Sequence, residues 1–218
     1  MTFLSIGAHV GDAELMCGPF LCQKFLEGEE VYIVALTSGE LGNPHMAPKD
    51  YKVQKLSEAK IFSEKTSIEY TVFDDIPDTQ LSISQEIVNR VKNIIVSKRT
   101  TTVITHWRGS IHSDHRQASE IVSKAVLQIN LEMSPEFKVE LFYAENWEDM
   151  DNFQPNSNHE ISEEAFKIWK SAIIHEEFIH GSFSSFRYLD YYSALLITRG
   201  CLTKHPKAVV LMKDNALY

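Results

Sequence analysis

Two short polar stretches of the 218-residue chain hold side chains that could bind a metal ion. The first follows an apolar run over 3–8 and places His9 and Asp12 three positions apart. An imidazole and a carboxylate that converge beyond the end of a buried strand can hold one divalent cation. A loop histidine and an aspartate that caps the next helix explain the same stretch. The first stretch alone leaves both interpretations open.

The second stretch, residues 106–116, follows a predicted strand that ends at Thr105. It contains three imidazoles and a central carboxylate, those of His106, His112, His115 and Asp114. Such a cluster is unusual for a solvated surface, and it favours a metal or catalytic site. His106 is also explained as a strand-end histidine that is hydrogen-bonded to the backbone. We predict that Ser113 caps the helix that follows.

The elements that must position these residues follow from hydrophobic periodicity. Sequence patterns predict strands over 3–8, 31–36, 70–73, 102–105 and 140–144, and the apolar runs 3–8 and 31–36 are typical of buried strands. Periodic apolar positions predict helices over 20–26, 52–65, 84–97 and 113–126. Because strands and helices alternate, we predict an α/β fold with a doubly wound, mostly parallel sheet and helices on both faces.

The C-terminal part of the chain gives less regular patterns. We predict a loop, a helix and a last edge strand there, over 151–159, 162–178 and 208–212. Aromatic residues concentrate in 183–192, where core packing or a subunit interface is favoured over a sugar-binding wall. This segment makes a homo-oligomer plausible. We expect a single domain over 1–218, with a recognisable α/β core over about 1–180 and a less defined part over 181–218.

Composition and charge disfavour several classes of function. The formal net charge of −9 disfavours nucleic-acid binding, because phosphates would be repelled. No apolar run is long enough to span a membrane, and the N-terminus lacks the basic start of a signal peptide. The three cysteines form no disulfide framework, and the glycines do not spell the G-x-G-x-x-G of dinucleotide-binding loops. We therefore expect a cytoplasmic protein with neither nucleic-acid nor membrane partners.

Together the two stretches resemble a known pair of motifs. The GlcNAc-PI de-N-acetylase superfamily, also called LmbE-like or PIG-L-like, has Ala-His-Pro-Asp-Asp after its first strand and His-Pro-Asp-His after a later one. The matching stretches here are Ala8-His9-Val10-Gly11-Asp12 and His112-Ser113-Asp114-His115. The resemblance implies a Rossmann-like zinc hydrolase that removes an acetyl or similar acyl group from an amino sugar, its glycoside or a related amine.

The resemblance also assigns roles to individual residues. His9, Asp12 and His115 match the zinc ligands, and two histidines with one carboxylate leave an open position for water. Fe²⁺ also fits such a ligand set. His112 matches a histidine that stabilises the oxyanion or protonates the leaving amine, and Asp114 matches the carboxylate that orients this histidine.

One position departs from the family pattern. The general base of the family is the first Asp of Asp-Asp, and Gly11 stands there. A different carboxylate could accept the proton, with Glu40 as first candidate and Glu14 or Glu145 as alternatives. The reaction could also run slowly without a base. A third alternative is a noncatalytic protein that binds metal and ligand.

Three further residues are expected to contact the substrate. Asp78 stands where family members often place a substrate-contacting acid, and a turn-capping aspartate explains it equally well. Arg108 flanks the second motif and could bind a substrate phosphate or carboxylate, although a surface ion pair explains it as well. Glu145 follows a predicted strand and completes this group. A zinc-dependent N-deacetylase is the function we expect.

Overall fold

The structure, a computed structural model, describes residues 1–134, 136–149, 151–181 and 185–215. Seven strands within these ranges form one sheet: β1 (Thr2–Gly7), β2 (Glu30–Ala35), β3 (Glu69–Val72), β4 (Thr102–His106), β5 (Glu140–Ala144), β6 (Ser157–Glu160) and β7 (Ala208–Lys213). Their order across the sheet is β3-β2-β1-β4-β5-β7-β6. Strands β1 to β5 are parallel, and β7 is antiparallel to β5 and β6. The prediction of a mostly parallel α/β sheet is confirmed.

Helices cover both faces of this sheet. They are α1 (Asp12–Met16), α2 (Gly18–Leu26), α3 (Pro48–Thr66), α4 (Gln85–Ser97), α5 (Ser113–Glu132), α6 (Glu163–Ile173) and α7 (Tyr188–Thr203), with a 3-10 helix over Glu177–His180. Alternate residues of β1 serve opposite cores, because Phe3 packs with residues of α2, α6 and α7, whereas Leu4 packs with residues of α4 and α5. Among the described residues, none of the helices is both long and apolar enough to cross a membrane.

Two expectations about strands in the C-terminal part were wrong. Residues 157–160 form β6 instead of a loop, and its polar sequence pairs with β7. The last strand is not an edge strand, because β7 lies between β5 and β6. Its two neighbours explain its apolar composition, since Val209 and Leu211 are buried in the core.

The helices of this part also differ from the prediction. The expected helix over 162–178 ends at Ile173, because Glu176 leaves helical geometry at φ −74° and ψ 126° and its carboxylate reaches Lys55 Nζ at 2.6 Å. The aromatic-rich segment contributes the first turns of α7, and Tyr192 is buried in the core. Phe183, the first aromatic of that segment, lies outside the described residues.

The helix of the second motif begins differently from the prediction. Its cap is His112 instead of Ser113, since His112 Nδ1 accepts the backbone N–H of Asp114 at 3.2 Å. An imidazole nitrogen thus takes the place that a serine oxygen usually has at a helix N-terminus. Ser113 becomes the first helical residue.

Candidate metal centre

The two motifs meet because their strands are neighbours. β1 and β4 lie side by side and run parallel, with Ile6 opposite Thr105. Segments that follow two parallel neighbouring strands emerge at the same edge of the sheet. His9 and Asp12 follow β1 at this edge, and His115 lies in the first turn of α5, which follows β4.

One carboxylate oxygen lies at the centre of the cluster. Asp12 Oδ2 lies 3.1 Å from His9 Nδ1, 3.2 Å from His106 Nε2 and 3.4 Å from His115 Nε2. One ligand atom each from His9, Asp12 and His115 lie within 4.8 Å of one another. Two imidazole nitrogens and one carboxylate oxygen at this spacing fit a divalent metal with an open coordination position. The cluster could therefore hold the metal that the motifs predict.

The pKa shifts of Asp12 and His115 favour the forms of these two groups that ligate metals. Burial alone would raise the pKa of Asp12, but His115, His9 and His106 hold that pKa well below its usual range. Burial and the charge of neighbouring His106 lower the pKa of His115, so its imidazole stays neutral. A deprotonated carboxylate and a neutral imidazole are the forms that ligate metals.

His9 uses both ring nitrogens. Its Nε2 lies 3.2 Å from Asp78 Oδ1 and 3.3 Å from Asp114 Oδ2. Burial would lower the pKa of His9, but these carboxylates and Asp12 raise it well above its usual value. Outer carboxylates that contact a ligating histidine fix its ring orientation. Asp78 and Asp114 are thus placed to orient His9.

The carboxylate of Asp114 therefore lies elsewhere than the resemblance implied. It faces His9 and accepts the backbone N–H of Thr79 at 3.0 Å, whereas its own backbone N–H is the group that contacts His112. Because His112 Nδ1 accepts that N–H, a neutral His112 carries its proton on Nε2. Burial, His115 and His9 lower the pKa of His112, which favours this neutral form. Half-buried His112 also lines the cleft beside the cluster.

Four other predicted site residues do not line that cleft. Glu40 accepts a hydrogen bond from the Asp78 backbone N–H at 2.9 Å and from the Ser38 hydroxyl at 2.5 Å. Glu14 is fully buried and accepts the N–H of Gly11 at 3.2 Å.

Glu145 and Arg108 are the other two of these four residues. Glu145 pairs with Arg199 through two contacts of 2.8 and 2.5 Å. The exposed guanidinium of Arg108 lies 5.0 Å from the Trp107 ring. By contrast, Asp78 lines the cleft.

The cleft has about 270 Å³ of open space and two unlike sides. His9, Asp12, Asp78 and His112 form a polar side. Trp147, Phe178 and Tyr188 form an aromatic side, and of these three only Tyr188 belongs to the aromatic-rich segment that the sequence analysis singled out. The ring centroids of Phe178 and Tyr188 are 5.1 Å apart.

Glu148 is another residue that sequence reasoning missed. Its Oε1 lies 3.4 Å from His115 Nδ1, and its side chain lines the cleft. Burial raises the pKa of this carboxyl group. The signal that could have found it is its position in the polar segment directly after β5, at the same sheet edge as both motifs.

Gly11 is held in a conformation and a space that suit only glycine. Its φ is +107°, a region that L side chains rarely adopt. A Cβ on Gly11 would lie 2.7 Å from Cε1 of Phe178, closer than carbon atoms can approach. The Phe178 ring thus fills the space beside Gly11, where the family places its general base.

A buried ion cluster supports Phe178 from behind. Lys55 Nζ lies 2.6 Å from Glu176 Oε2, 2.8 Å from Glu58 Oε2 and 4.6 Å from the centre of the Phe178 ring. Burial would lower the pKa of Lys55, but Glu176 and Glu58 raise it, so the ammonium stays charged. An ammonium over an aromatic face adds to the packing of that ring.

Fold and site together define an α/β protein with a candidate metal centre of the catalytic type, at the carboxyl edge of a parallel sheet. The family described as PIG-L, GlcNAc-PI de-N-acetylase, matches residues 4–126, which include both motifs. The chain belongs to this family.

Solved structures share the fold along nearly the whole chain. The conserved protein TT1542 from Thermus thermophilus is 21% identical, with a TM-score of 0.80 and 98% of this chain and 94% of that chain covered. The N,N'-diacetylchitobiose deacetylase from Pyrococcus horikoshii is 14% identical, with a TM-score of 0.80 and 99% and 84% covered.

A third similar structure is described as a hydratase. GalB, the 4-carboxy-2-hydroxymuconate hydratase from Pseudomonas putida, is 18% identical, with a TM-score of 0.80 and 98% and 96% covered. A deacetylase and a hydratase therefore share this fold, and the reaction must be argued from the site.

Proposed function

We propose that this protein is a metal-dependent amide hydrolase that removes an acetyl or similar acyl group from a small N-acylated amino sugar, its glycoside or a related amine. The observation that carries the proposal is the convergence of His9, Asp12 and His115 beside an open cleft. Membership of a de-N-acetylase family supports the reaction class. Zn²⁺ is the metal that we propose, and Fe²⁺ also suits two imidazoles and one carboxylate.

The bound metal would act as a Lewis acid on the amide carbonyl and lower the pKa of a bound water. The chain supplies the other groups. His112, with its proton on Nε2, can donate to the carbonyl oxygen as negative charge develops there, or protonate the leaving amine. Asp78 and Asp114 hold His9 in orientation. The overall reaction adds water across the amide C–N bond and yields a carboxylate and an amine.

We propose that a glutamate near this site accepts the proton of the attacking water. Glu40, Glu14 and Glu145 stay predictions, although each makes the structural contact described above. We add Glu148, because it lines the cleft and contacts His115. Replacing the true acceptor by Gln should lower kcat by about 10²- to 10⁴-fold. Unchanged rates in all four single variants would refute a relocated carboxylate base.

The remaining predictions concern substrate contacts and surroundings. Asp78 lines the cleft and is proposed to bind substrate as well as to orient His9. Arg108 and Glu145 would contact only substrate that extends beyond the cleft. A cytoplasmic location, the lack of nucleic-acid partners and a homo-oligomer remain predictions. For the oligomer, light scattering that shows only a 24.9 kDa species would argue against it.

A noncatalytic, ligand-binding protein is the second candidate function. The observation that favours it is the space beside Gly11, which the Phe178 ring fills so that no carboxylate fits there. Such a protein would bind metal through the same three residues without releasing amine from any N-acyl substrate. The two candidates therefore differ in turnover and agree in metal content.

The test is metal content followed by amine release. Protein purified without chelator should hold about one zinc per chain, and His115→Ala should lose it. His175→Ala, which truncates an exposed histidine away from the cluster, is the matched control and should retain the metal. Release of glucosamine from N-acetylglucosamine or its glycosides by the wild type alone would support the hydrolase. A wild type that takes up no zinc would refute both candidates.

A further inference from the structure

The cleft is closed on one side of the metal centre and open on the other. Tyr51 and Lys55, each 2% exposed, lie on the closed side with Phe178. Leu41, 50% exposed, and exposed Thr79 lie on the open side. A substrate that enters from solvent must therefore leave its larger part on the side of Leu41 and Thr79.

Phe178 determines how much room the closed side offers. Its ring lies against the Cα of Gly11, the residue that immediately precedes the metal-binding Asp12. The ring is held from behind by the Lys55 ammonium at 4.6 Å and edge-on by Tyr188 at 5.1 Å. Neighbours on two sides leave the ring little freedom to turn away.

In an N-acylated amino sugar the two groups on the scissile amide differ in size and polarity. The sugar is large and polar, whereas a short acyl chain is small and apolar. The closed side, where the rings of Tyr51 and Phe178 lie, suits the acyl chain, and the open side suits the sugar. The carbonyl carbon that joins them would then lie beside the metal centre.

We propose that Phe178 is a specificity-determining residue that limits the acyl group to a short chain such as acetyl. This inference rests on the proposed amide hydrolase and names its substrate class. Glycine at position 11 makes room for the Phe178 ring, because a side chain at position 11 would occupy the same space as that ring.

The experiment compares three acyl lengths on one amine. N-acetyl-, N-butyryl- and N-hexanoylglucosamine are offered to the zinc-loaded wild type, Phe178→Leu and Phe178→Ala, and kcat/KM is measured for each. The wild type should prefer acetyl. Phe178→Ala should raise the hexanoyl-to-acetyl ratio of kcat/KM at least about tenfold, with Phe178→Leu between the two, because a few methylenes in an apolar pocket are worth that much.

A matched truncation separates this effect from a general loss of packing. Phe166 is a partly buried aromatic of α6 that packs on Trp169, away from the cleft. Phe166→Ala should keep the wild-type ratio. A ratio that is the same in Phe178→Ala and the wild type would overturn the inference.

A second measurement keeps Phe178 testable if no substrate releases amine. Acetate, butyrate and hexanoate stand for the acyl product, and their binding to the zinc-loaded protein is measured by calorimetry. The wild type should bind acetate more tightly than hexanoate, and Phe178→Ala should raise the relative affinity for hexanoate. Absent turnover with this pattern would refute the proposed function alone, whereas an unchanged ratio of the hexanoate and acetate affinities would refute the role of Phe178.

Discussion

The part of the chain that contains both motifs and the part that follows α5 contribute different kinds of side chain to one cleft. Residues 1–134 supply the candidate metal-binding side chains found among the described residues, and these groups come from short polar segments that follow β1 and β4. Residues after β5 supply Trp147, Phe178 and Tyr188, which the chain brings together from three separate segments. The difference teaches that the reactive groups are encoded locally, whereas the surface that selects a substrate depends on long-range packing.

The largest expected effect is in the first region. Asp12→Asn removes the charge at the atom that three imidazoles approach, whereas Asp78→Asn removes only an outer contact to His9. We expect Asp78→Asn to lower zinc affinity about 10- to 100-fold and Asp12→Asn to lower it more. Zinc affinity is measured by competition with a chelating dye. Equal losses would contradict a ligand role that is specific to Asp12.

The next largest effect is expected on stability, where Gly11 of the first region contacts Phe178 of the second. Gly11→Ala should destabilise the fold by about 1–3 kcal/mol, because it combines positive φ with a clash against the ring. Phe178→Ala removes the clash but not the backbone strain, so Gly11→Ala should cost less in that background. Denaturant unfolding of both single variants and the double variant measures this coupling. Strictly additive free energies would show that the two positions do not interact.

A smaller effect is expected on the aromatic side. Trp147 lines the cleft, and its ring stacks on Phe186 at 4.7 Å. Trp147→Leu should raise KM about three- to tenfold, the value of one aromatic contact, with zinc content unchanged. Steady-state kinetics beside elemental analysis checks this. A loss of zinc in Trp147→Leu would contradict the assignment of metal binding to the first region and substrate contact to the second.

The smallest effect concerns acid stability far from the cleft. Burial and the charge of Lys24 lower the pKa of His159 to about 4, and its ring packs edge-on against Phe20 at 4.7 Å. An ordinary histidine titrates near 6.5, so the unfolded chain binds a proton there first.

The folded-state pKa is the lower one, so this histidine favours the folded state above pH 6.5. That contribution should be lost as the pH falls from about 6.5 to 4, with a slope of at most about 1.4 kcal/mol per pH unit. His159→Phe should flatten the fall in unfolding free energy over this range. Parallel curves for wild type and variant would contradict the assignment.

Sequence patterns predicted the parallel part of the sheet because most of its strands are apolar runs between helical periods, although the side chains of β3 alternate between exposed and partly buried. β6 escaped prediction, since Ser157-Asn158-His159-Glu160 has no apolar alternation and becomes a strand by pairing with β7. The position of β7 between two strands also depends on that pairing. These features are tertiary, and no local pattern contains them.

The candidate site likewise combines features that local sequence predicts with contacts that it does not predict. His9 with Asp12, and His112 with His115, each lie three positions apart, so spacing alone could predict their convergence. The contact of Asp114 with His9 could not be predicted, because His9 lies on another loop that is distant in sequence. Nothing in local sequence connects Gly11 with Phe178, and only the folded chain shows why glycine stands there.

The antiparallel position of β7 has a consequence for the order in which the protein is made. A ribosome builds the chain from its N-terminus, so the candidate metal-binding residues His9, Asp12 and His115 emerge well before Ala208–Lys213. Until that strand arrives, β5 has a free edge and β6 has no partner. A nascent chain can thus expose its candidate metal-binding residues before β5, β7 and β6 have paired.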